Sequence, residues 1–135
     1  MREILFRGQT RRKGQKVWMD GTPVDSNWVE GYGVCVGNGD YSVIYSGHPV
    51  EKFTVYTDTI GQFTGLTDKN DKKIFEGDIV KGKDNLEKSL EVYGYIDHKY
   101  GSFVIVGDFM THYRWLDYEV EVIGNIYDNP ELLED

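Results

Sequence analysis

The chain has 135 residues, a formal net charge of −8 and a single cysteine. This length suits one domain or two small packed subdomains, and a lone cysteine excludes an internal disulfide and predicts a reducing compartment. The first 16 residues carry charges throughout, and no apolar run approaches the length that crosses a bilayer. We therefore expect an intracellular protein with no signal peptide and no membrane partner.

The charge is divided unevenly along the chain. Residues 1–58 carry seven Lys or Arg and seven Asp or Glu, whereas residues 59–135 carry eight and sixteen. An acidic half repels phosphate, which disfavours nucleic acid as its partner. The exception is a basic run, Arg7–Lys16, with five bases and no acid. Such a run is more often a solvated hairpin tip than a contact surface, and the alternative is an arm that binds nucleic acid.

The N-terminal half is predicted to consist of short strands. Their ranges are Glu3–Arg7, Gln15–Asp20, Tyr32–Val36, Tyr41–Tyr45 and Glu51–Asp58. Asn38-Gly39, between the third and fourth ranges, is a strong β-hairpin signal because both residues readily adopt the positive φ of a tight turn. The glycines around this turn do not indicate a phosphate-binding loop, since no helix follows them. Trp28 is predicted to anchor the core.

The central stretch, Thr59–Gly82, predicts three short strands joined by tight reversals. The strands are Ile60–Thr64, Ile74–Phe75 and Ile79–Lys81, with a polar turn at Thr67–Lys72 and a bend at Glu76-Gly77-Asp78. Asp and Asn side chains in such turns hydrogen-bond to their own backbone, and Gly77 permits the bend. We interpret Asp78 as a turn former rather than a catalytic acid.

The remaining sequence again indicates antiparallel strands. They are Val92–Asp97, Phe103–Val106, Tyr113–Leu116 and Tyr118–Ile126. Lys83–Glu91 is interpreted as a loop or a single turn, and Asn129-Pro130-Glu131 predicts the start of a short C-terminal helix. The whole predicts a mainly β protein: an SH3-type β-roll or small barrel over residues 59–135, with an N-terminal β region over residues 1–58 packed against it.

Three blocks of the sequence carry a family resemblance. They are the opening Met1–Arg7, the central Thr64–Val80, and the close Ile123–Leu133. The central block resembles the motif T-G-L-x-D-K-N-G-K-x-I-Y-E-G-D-I-V of the YopX-like proteins, a family of phages and prophages. The resemblance implies a fold and a phage context in the cytoplasm of a bacterial host, and it implies no activity.

The motif residues are expected to be structural. They are Gly65, Leu66, Asp68, Asn70, Glu76, Gly77, Asp78, Ile79, Gly124, Asn125 and Pro130. Two positions depart from the motif, since Asp71 stands where the family usually has Gly and Phe75 where it has Tyr. Because a turn there requires a positive φ, we expect Asn70 to adopt it in place of the missing Gly.

No residue pattern predicts catalysis, a metal or a cofactor. The histidines, His48, His98 and His112, have no second His or Cys at ligand spacing. Cys35 lies between two valines of a predicted strand, which favours a small buried hydrophobe over a nucleophile. We therefore expect that the protein is not an enzyme.

Three functional hypotheses follow, in order of preference. The first is a non-enzymatic protein-interaction or self-assembly module that forms a homo-oligomer or binds a phage or host protein, which the ten tyrosines favour. The second is a nucleic-acid-binding protein that uses the basic run Arg7–Lys16. The third is an enzyme whose site forms only in the fold. Self-association could join unpaired strand edges, or the basic run of one copy and the acidic tail Asp117–Asp135 of another. Only the second contact would loosen as salt rises.

Overall fold

The structure is a computed structural model that describes residues 3–10, 17–19, 22–24, 28–84, 91–107, 111–112, 115 and 118–134. Within those residues it is mainly β, which confirms the predicted fold class. The strands are β1 Phe6–Gln9, β2 Val17–Met19, β3 Thr22–Val24, β4 Trp28–Gly31, β5 Gly33–Cys35, β6 Tyr41–Ser46, β7 Glu51–Tyr56, β8 Gly61–Thr67, β9 Lys73–Phe75, β10 Asp78–Asp84, β11 Glu91–Lys99, β12 Ser102–Gly107, β13 Thr111–His112 and β14 Tyr118–Asn125. Short 3-10 helices lie at Thr57–Thr59 and Pro130–Leu133.

The chain divides into two compact units, Met1–Gln62 and Phe63–Asp135. The division falls within β8. Its first two residues pair with β1, Gly61 with Arg7 and Gln62 with Phe6, so they belong to the first unit. The sequence-based division after residue 58 does not include these pairings, because a sequence pattern does not reveal which distant strand a residue joins.

The first unit contains antiparallel strands with a well-packed interior. β4 pairs with β1, β2 pairs with β3, and β5, β6 and β7 form a three-stranded meander in that order. The core side chains Ile44 and Val55 are buried at 0% and 1% exposure. A Cβ added at Gly8 would lie 2.8 Å from Val55 Cγ2, and one at Gly31 would lie 2.2 Å from the carbonyl oxygen of Tyr45. Glycine at these positions therefore allows β1 and β4 to pack directly against the meander.

The basic run begins inside this fold. Arg7 is only 9% exposed, and its guanidinium lies 4.7 Å from the ring centroid of Trp28, a cation–π contact. Nearby, the backbone N–H of Gln9 donates to Thr59 Oγ1 at 2.8 Å. Arg7 is thus part of the packed unit, and residues 11–16 of the predicted basic arm lie outside the described residues.

The second unit is organised around a five-stranded antiparallel sheet in the order β13-β12-β11-β10-β14. Three consecutive strands follow β10 on one side, and the last strand, β14, returns to pair with β10 on the other. This is the connectivity of an SH3-type roll. In the described residues β13 and β14 do not pair, so the sheet is open rather than a closed barrel. Its core cluster comprises Ile74, Val80, Val92, Ile96, Ile105, Trp115 and Val120.

The last two elements of this unit differ in detail from their sequence patterns. Tyr113–Leu116 was expected as a strand, but of these residues only Trp115 lies within the described part of the chain. Trp115 is in a 3-10 turn, and its indole N–H donates to the Phe103 carbonyl at 2.8 Å. The predicted short C-terminal helix is present as a 3-10 helix, but the expected cap at Asn129 makes no side-chain hydrogen bond to it. The amide oxygen of Asn129 accepts instead from the backbone N–H of Asn125 at 3.2 Å, so it is committed to the preceding strand.

Candidate functional site

The central polar turn is organised by one buried carboxylate. Asp68 is 6% exposed, and its Oδ1 accepts hydrogen bonds from the backbone N–H groups of Asn70 at 2.8 Å and Lys72 at 2.9 Å. Its Oδ2 accepts from the N–H of Val122 in β14 at 2.9 Å, and the N–H of Lys69 donates to the Val120 carbonyl at 3.0 Å. The turn therefore satisfies polar groups on the edge of β14 that faces away from β10.

The electrostatics of Asp68 follow from these contacts. Burial raises the pKa of its carboxyl, but the hydrogen bonds from the backbone of Val122, Lys72 and Asn70, together with the charge of Lys72, outweigh burial and leave the pKa below the ordinary value of 3.8. The group is thus ionised at neutral pH and holds backbone donors. A general acid would need the opposite shift.

The same turn corrects one prediction. The positive φ belongs to Asp71, at 61°, and not to Asn70. Asn70 instead directs its N–H to the Asp68 carboxylate, which requires the ordinary turn geometry at that position. Asp71 therefore occupies the left-handed conformation at the position where the family motif has Gly.

The bend at Glu76-Gly77-Asp78 brings the central and closing motif blocks together. In the β10–β14 ladder Asp78 pairs with Asn125 and Ile79 with Gly124, followed by a register shift. Asp78 is 1% exposed, and its Oδ2 accepts from the N–H of Phe75 at 2.8 Å. Its observed role is to brace the bend.

Gly77 fits this bend for two reasons. Its φ is +89°, and an added Cβ would lie 3.0 Å from the Tyr127 ring. Its N–H donates to the Ile96 carbonyl at 2.8 Å, and its own carbonyl accepts from the N–H of Ile126 at 2.9 Å. The bend is thereby bonded to β11 on one side and to the end of β14 on the other.

The closing motif block forms a second side-chain-braced turn. Asn125 Oδ1 accepts from the backbone N–H groups of Tyr127 at 3.0 Å and Asp128 at 2.9 Å. A Cβ at Gly124 would lie 2.6 Å from Asn129 Oδ1, so the absence of a side chain there leaves room for the Asn129 amide. Pro130 then begins the 3-10 helix.

The remaining motif residues also lie where they shape the backbone. Gly65 has a φ of 90° at an irregularity in the β8–β9 pairing, and Leu66 packs against the core cluster. Ile79 is fully buried, and Glu76 is half-buried in the bend. In the contacts described above, the polar motif side chains hydrogen-bond to backbone. They form turns, and Leu66 and Asp68 also line a shallow groove of about 340 Å³ beside Trp115.

A charged groove of about 500 Å³ lies on the outward side of the second unit. It is lined by Lys69, Lys81, Gly82, Lys83, Glu91, Val92, Tyr93, Glu119 and Glu121. Lys69 Nζ lies 3.5 Å from Glu121 Oε2, and Lys83 Nζ lies 4.0 Å from Glu91 Oε1. Exposed ion pairs of this kind contribute little stability and offer no activated group. Sequence reasoning missed this groove, although the alternation of charge along β10 and β14 was its signal.

A second surface lies in the first unit, on the outward side of the meander. We call it the tyrosine face, defined by Cys35, Tyr41, Val43, Tyr45, Thr54 and Tyr56, which share one side of the sheet by register. Tyr41 is 57% exposed, and its ring centroid lies 5.3 Å from that of Tyr56. Cys35 is exposed, so the prediction of a buried cysteine was wrong. The reason is that, among the described strands, β5 lies at the edge of the meander and Cys35 has the outward parity.

The three histidines lie in separate places. His48 stacks on Tyr32 with ring centroids 5.7 Å apart, while His98 meets the edge of Phe103 and His112 that of Tyr118. Over the described residues, no group of three His, Cys, Asp or Glu could hold a metal ion. In that same part of the chain, none of the helices has the length and apolar character needed to span a bilayer.

The fold and its braced turns define a small mainly β protein whose signature residues build turns and strand edges. The family model described as YopX protein matches residues 24–134, and the chain belongs to this family, as its motifs implied.

One solved structure similar to this chain is the crystal structure of protein EF1440 from Enterococcus faecalis. The two chains are 25% identical, the match covers 97% of this chain and 98% of that one, and the TM-score is 0.48. None of the curated proteins compared with this chain matches it significantly.

Proposed function

We propose that this chain is a non-enzymatic protein-interaction module that acts in the cytoplasm of a bacterial host, in a phage or prophage context. The observation that carries the proposal is the tyrosine face. Tyrosines on a sheet surface supply large contact area with only two side-chain torsions to immobilise, and they are enriched at protein interfaces. Burying this face against a partner would remove apolar area from water at little entropic cost.

The composition of the face fits a protein partner better than a nucleic acid. Lys52, which pairs with Tyr45 in the ladder, is the one charged residue of described β5–β7 on that side of the sheet. A phosphate backbone is held by clustered cations, which this face does not supply. The basic run also provides one accessible cation fewer than its sequence indicated, because the Arg7 side chain is packed against Trp28.

A non-enzymatic role is supported by how the buried carboxylates are used. Asp68 and Asp78 both accept hydrogen bonds from backbone N–H groups inside the fold. A catalytic carboxyl must instead reach a substrate proton from a cleft. We therefore assign both groups to folding.

The test is capture of partners by the tagged chain from bacteria carrying an induced prophage, with and without nuclease. Partners are identified by mass spectrometry, and their affinity is then measured with purified proteins. The test variant is Tyr41→Ser with Tyr56→Ser. Tyr100→Ser is the matched control, because Tyr100 is 91% exposed at the tip of a different hairpin.

We expect a nuclease-resistant partner, or a second copy of the chain, whose affinity falls at least about 30-fold in the double variant. This fold-change corresponds to the loss of about 2 kcal/mol that defines a binding hot spot, where tyrosine is enriched. The control variant should bind as the wild type does. Capture that disappears with nuclease would favour the nucleic-acid alternative. If the double variant binds the partner with the wild-type affinity, the tyrosine face is not the binding surface.

A further inference from the structure

The sheet edges of this chain are protected to different degrees. In the second unit, the outer edge of β14 is covered by the Asp68 turn, and the opposite edge strand, β13, has two residues in the described part of the chain. In the first unit, β7 begins with Glu51 and Lys52, which are charged and exposed. Charges, short strands and covering turns are the usual devices that prevent a sheet edge from pairing with another chain.

β5 is also short, with three residues, but its outer edge carries no charged side chain. Over the described residues, no strand pairs with β5 on the side opposite β6. The segment Tyr32–Gly37 contains no charged residue and no proline. Val36, immediately after β5, is 65% exposed, and Tyr32, immediately before it, is 44% exposed. Apolar side chains thus flank unpaired backbone at one place on the surface.

The charge distribution indicates what can approach this edge. Residues 1–62 contain seven Lys or Arg and seven Asp or Glu, whereas the excess of eight acids lies in residues 63–135. Two copies of an acidic chain repel each other least when they meet through the neutral unit. An uncharged edge also places no like charges opposite each other when it pairs with itself.

We propose that two copies of this chain associate by antiparallel pairing of their β5 edges about a two-fold axis, joining the two meanders into one six-stranded sheet. This inference rests on the proposed function and names a second copy as the partner. In the joined sheet the tyrosine faces of both copies must lie on the same side. Residues that point to the same side of the sheet must therefore lie opposite each other across the β5–β5 contact. With Cys35 opposite its own counterpart, the exposed Val36 lies beside Val34 of the second copy. Closed pairing of this kind is isologous and stops at a dimer.

The experiment measures mass and proximity on the intact chain. Light scattering after gel filtration gives the mass at low and high salt, and a short bis-maleimide reports whether two Cys35 thiols are adjacent. The test variant is Val36→Lys, which places an ammonium opposite Val34 of the second copy and diagonally across from the second copy's own Lys, about 7–8 Å away between the backbones. Val50→Lys is the matched control, since Val50 is 52% exposed in a turn of the same unit. Cys35→Ser controls for the specificity of cross-linking.

We expect a dimer whose mass is retained at high salt and whose Cys35 thiols cross-link in the wild type and in Val50→Lys. Val36→Lys should weaken the dimer at least about tenfold, because each new charge is placed against Val34 of the other copy and the two like charges lie diagonally across the contact. The inference would be overturned by a monomer at every concentration. It would also be overturned by a dimer whose affinity is unchanged in Val36→Lys, or by a dimer whose Cys35 thiols do not cross-link. If the chain is monomeric yet a purified protein partner still depends on Tyr41 and Tyr56, the inference fails while the proposed function stands.

Discussion

Replacing Asp68 with Ala should be among the most damaging single substitutions in the second unit. The change removes the acceptor of three backbone N–H groups, at 2.8, 2.9 and 2.9 Å. A hydrogen bond to a charged group contributes about 1.5–3 kcal/mol net. Asn70 and Lys72 are exposed, so their N–H groups can turn to water, whereas Val122 lies in a half-buried strand. We therefore expect a loss of about 3–4 kcal/mol rather than the sum of three full bonds.

Urea unfolding measures this loss globally, and amide hydrogen exchange measures it at one site. Trp115, which is 4% exposed in the core cluster, provides a fluorescence signal from the second unit. The Val122 amide should be protected in the wild type and exchange faster in Asp68→Ala, because its acceptor is lost. Asp71→Asn is the matched control. It removes a carboxylate from the same turn, and Asn tolerates the left-handed conformation at that position.

The stability should also depend on pH in a defined direction. The pKa of Asp68 is lowered on folding, so its contribution is complete above the unfolded value of 3.8 and is lost as pH falls through the folded value. The advantage of wild type over Asp68→Asn should accordingly be constant from about pH 5 to 7 and narrow below pH 3.8. An Asp68→Ala protein within about 0.5 kcal/mol of wild type, with the Val122 amide still protected, would refute the reasoning.

Three further predictions concern the turns and the basic run. Asp71→Gly should stabilise the chain by about 0.5–1 kcal/mol, seen as a higher melting temperature, because glycine relieves the positive φ; an unchanged or lower value would contradict this. Gly124→Ala should cost about 1–3 kcal/mol in urea unfolding through the contact with Asn129, and adding Asn129→Ala should recover part of the loss. Full additivity of the two changes would argue against that contact. Duplex DNA should bind no tighter than about micromolar at physiological salt. A nanomolar complex in a mobility shift, weakened by Arg11→Ala with Arg12→Ala, would revive the nucleic-acid alternative.

The parts of the fold that local signals determine could be predicted from the sequence. Asn38-Gly39 indicated the β5–β6 hairpin, and the alternating residues of β14 indicated a strand with one wet side. Cys35 could not be placed in this way. Because Cys35 lies between two valines, the alternation along the strand does not show whether the valines or the cysteine face the core. The neighbouring strand determines the orientation, since the buried Ile44 pairs with Val34 and places Cys35 on the opposite side of the sheet.

The role of Asp68 could be predicted only in part. Its bonds to Asn70 and Lys72 are local and follow from ordinary turn chemistry. Its bond to Val122 spans 54 residues and depends on the return of β14 beside β10. The positive φ was wrongly assigned to Asn70 for a similar reason. The Asp68 carboxylate accepts a hydrogen bond from the Asn70 N–H, and Asp71 is the residue that adopts the positive φ and reverses the chain.

The chemistry of an ionised carboxylate explains why an aspartate occupies this position. Its two oxygens accept on both sides, so one side chain can bind two N–H groups of its own turn and a third on β14. An asparagine at this position would present one acceptor oxygen and direct an amide N–H₂ at one of those donors. The covered edge of β14 is then unavailable to another chain, because its Val122 N–H and Val120 carbonyl are already bonded. Association through backbone pairing must therefore use a different edge, and the uncharged outer side of β5 satisfies that requirement.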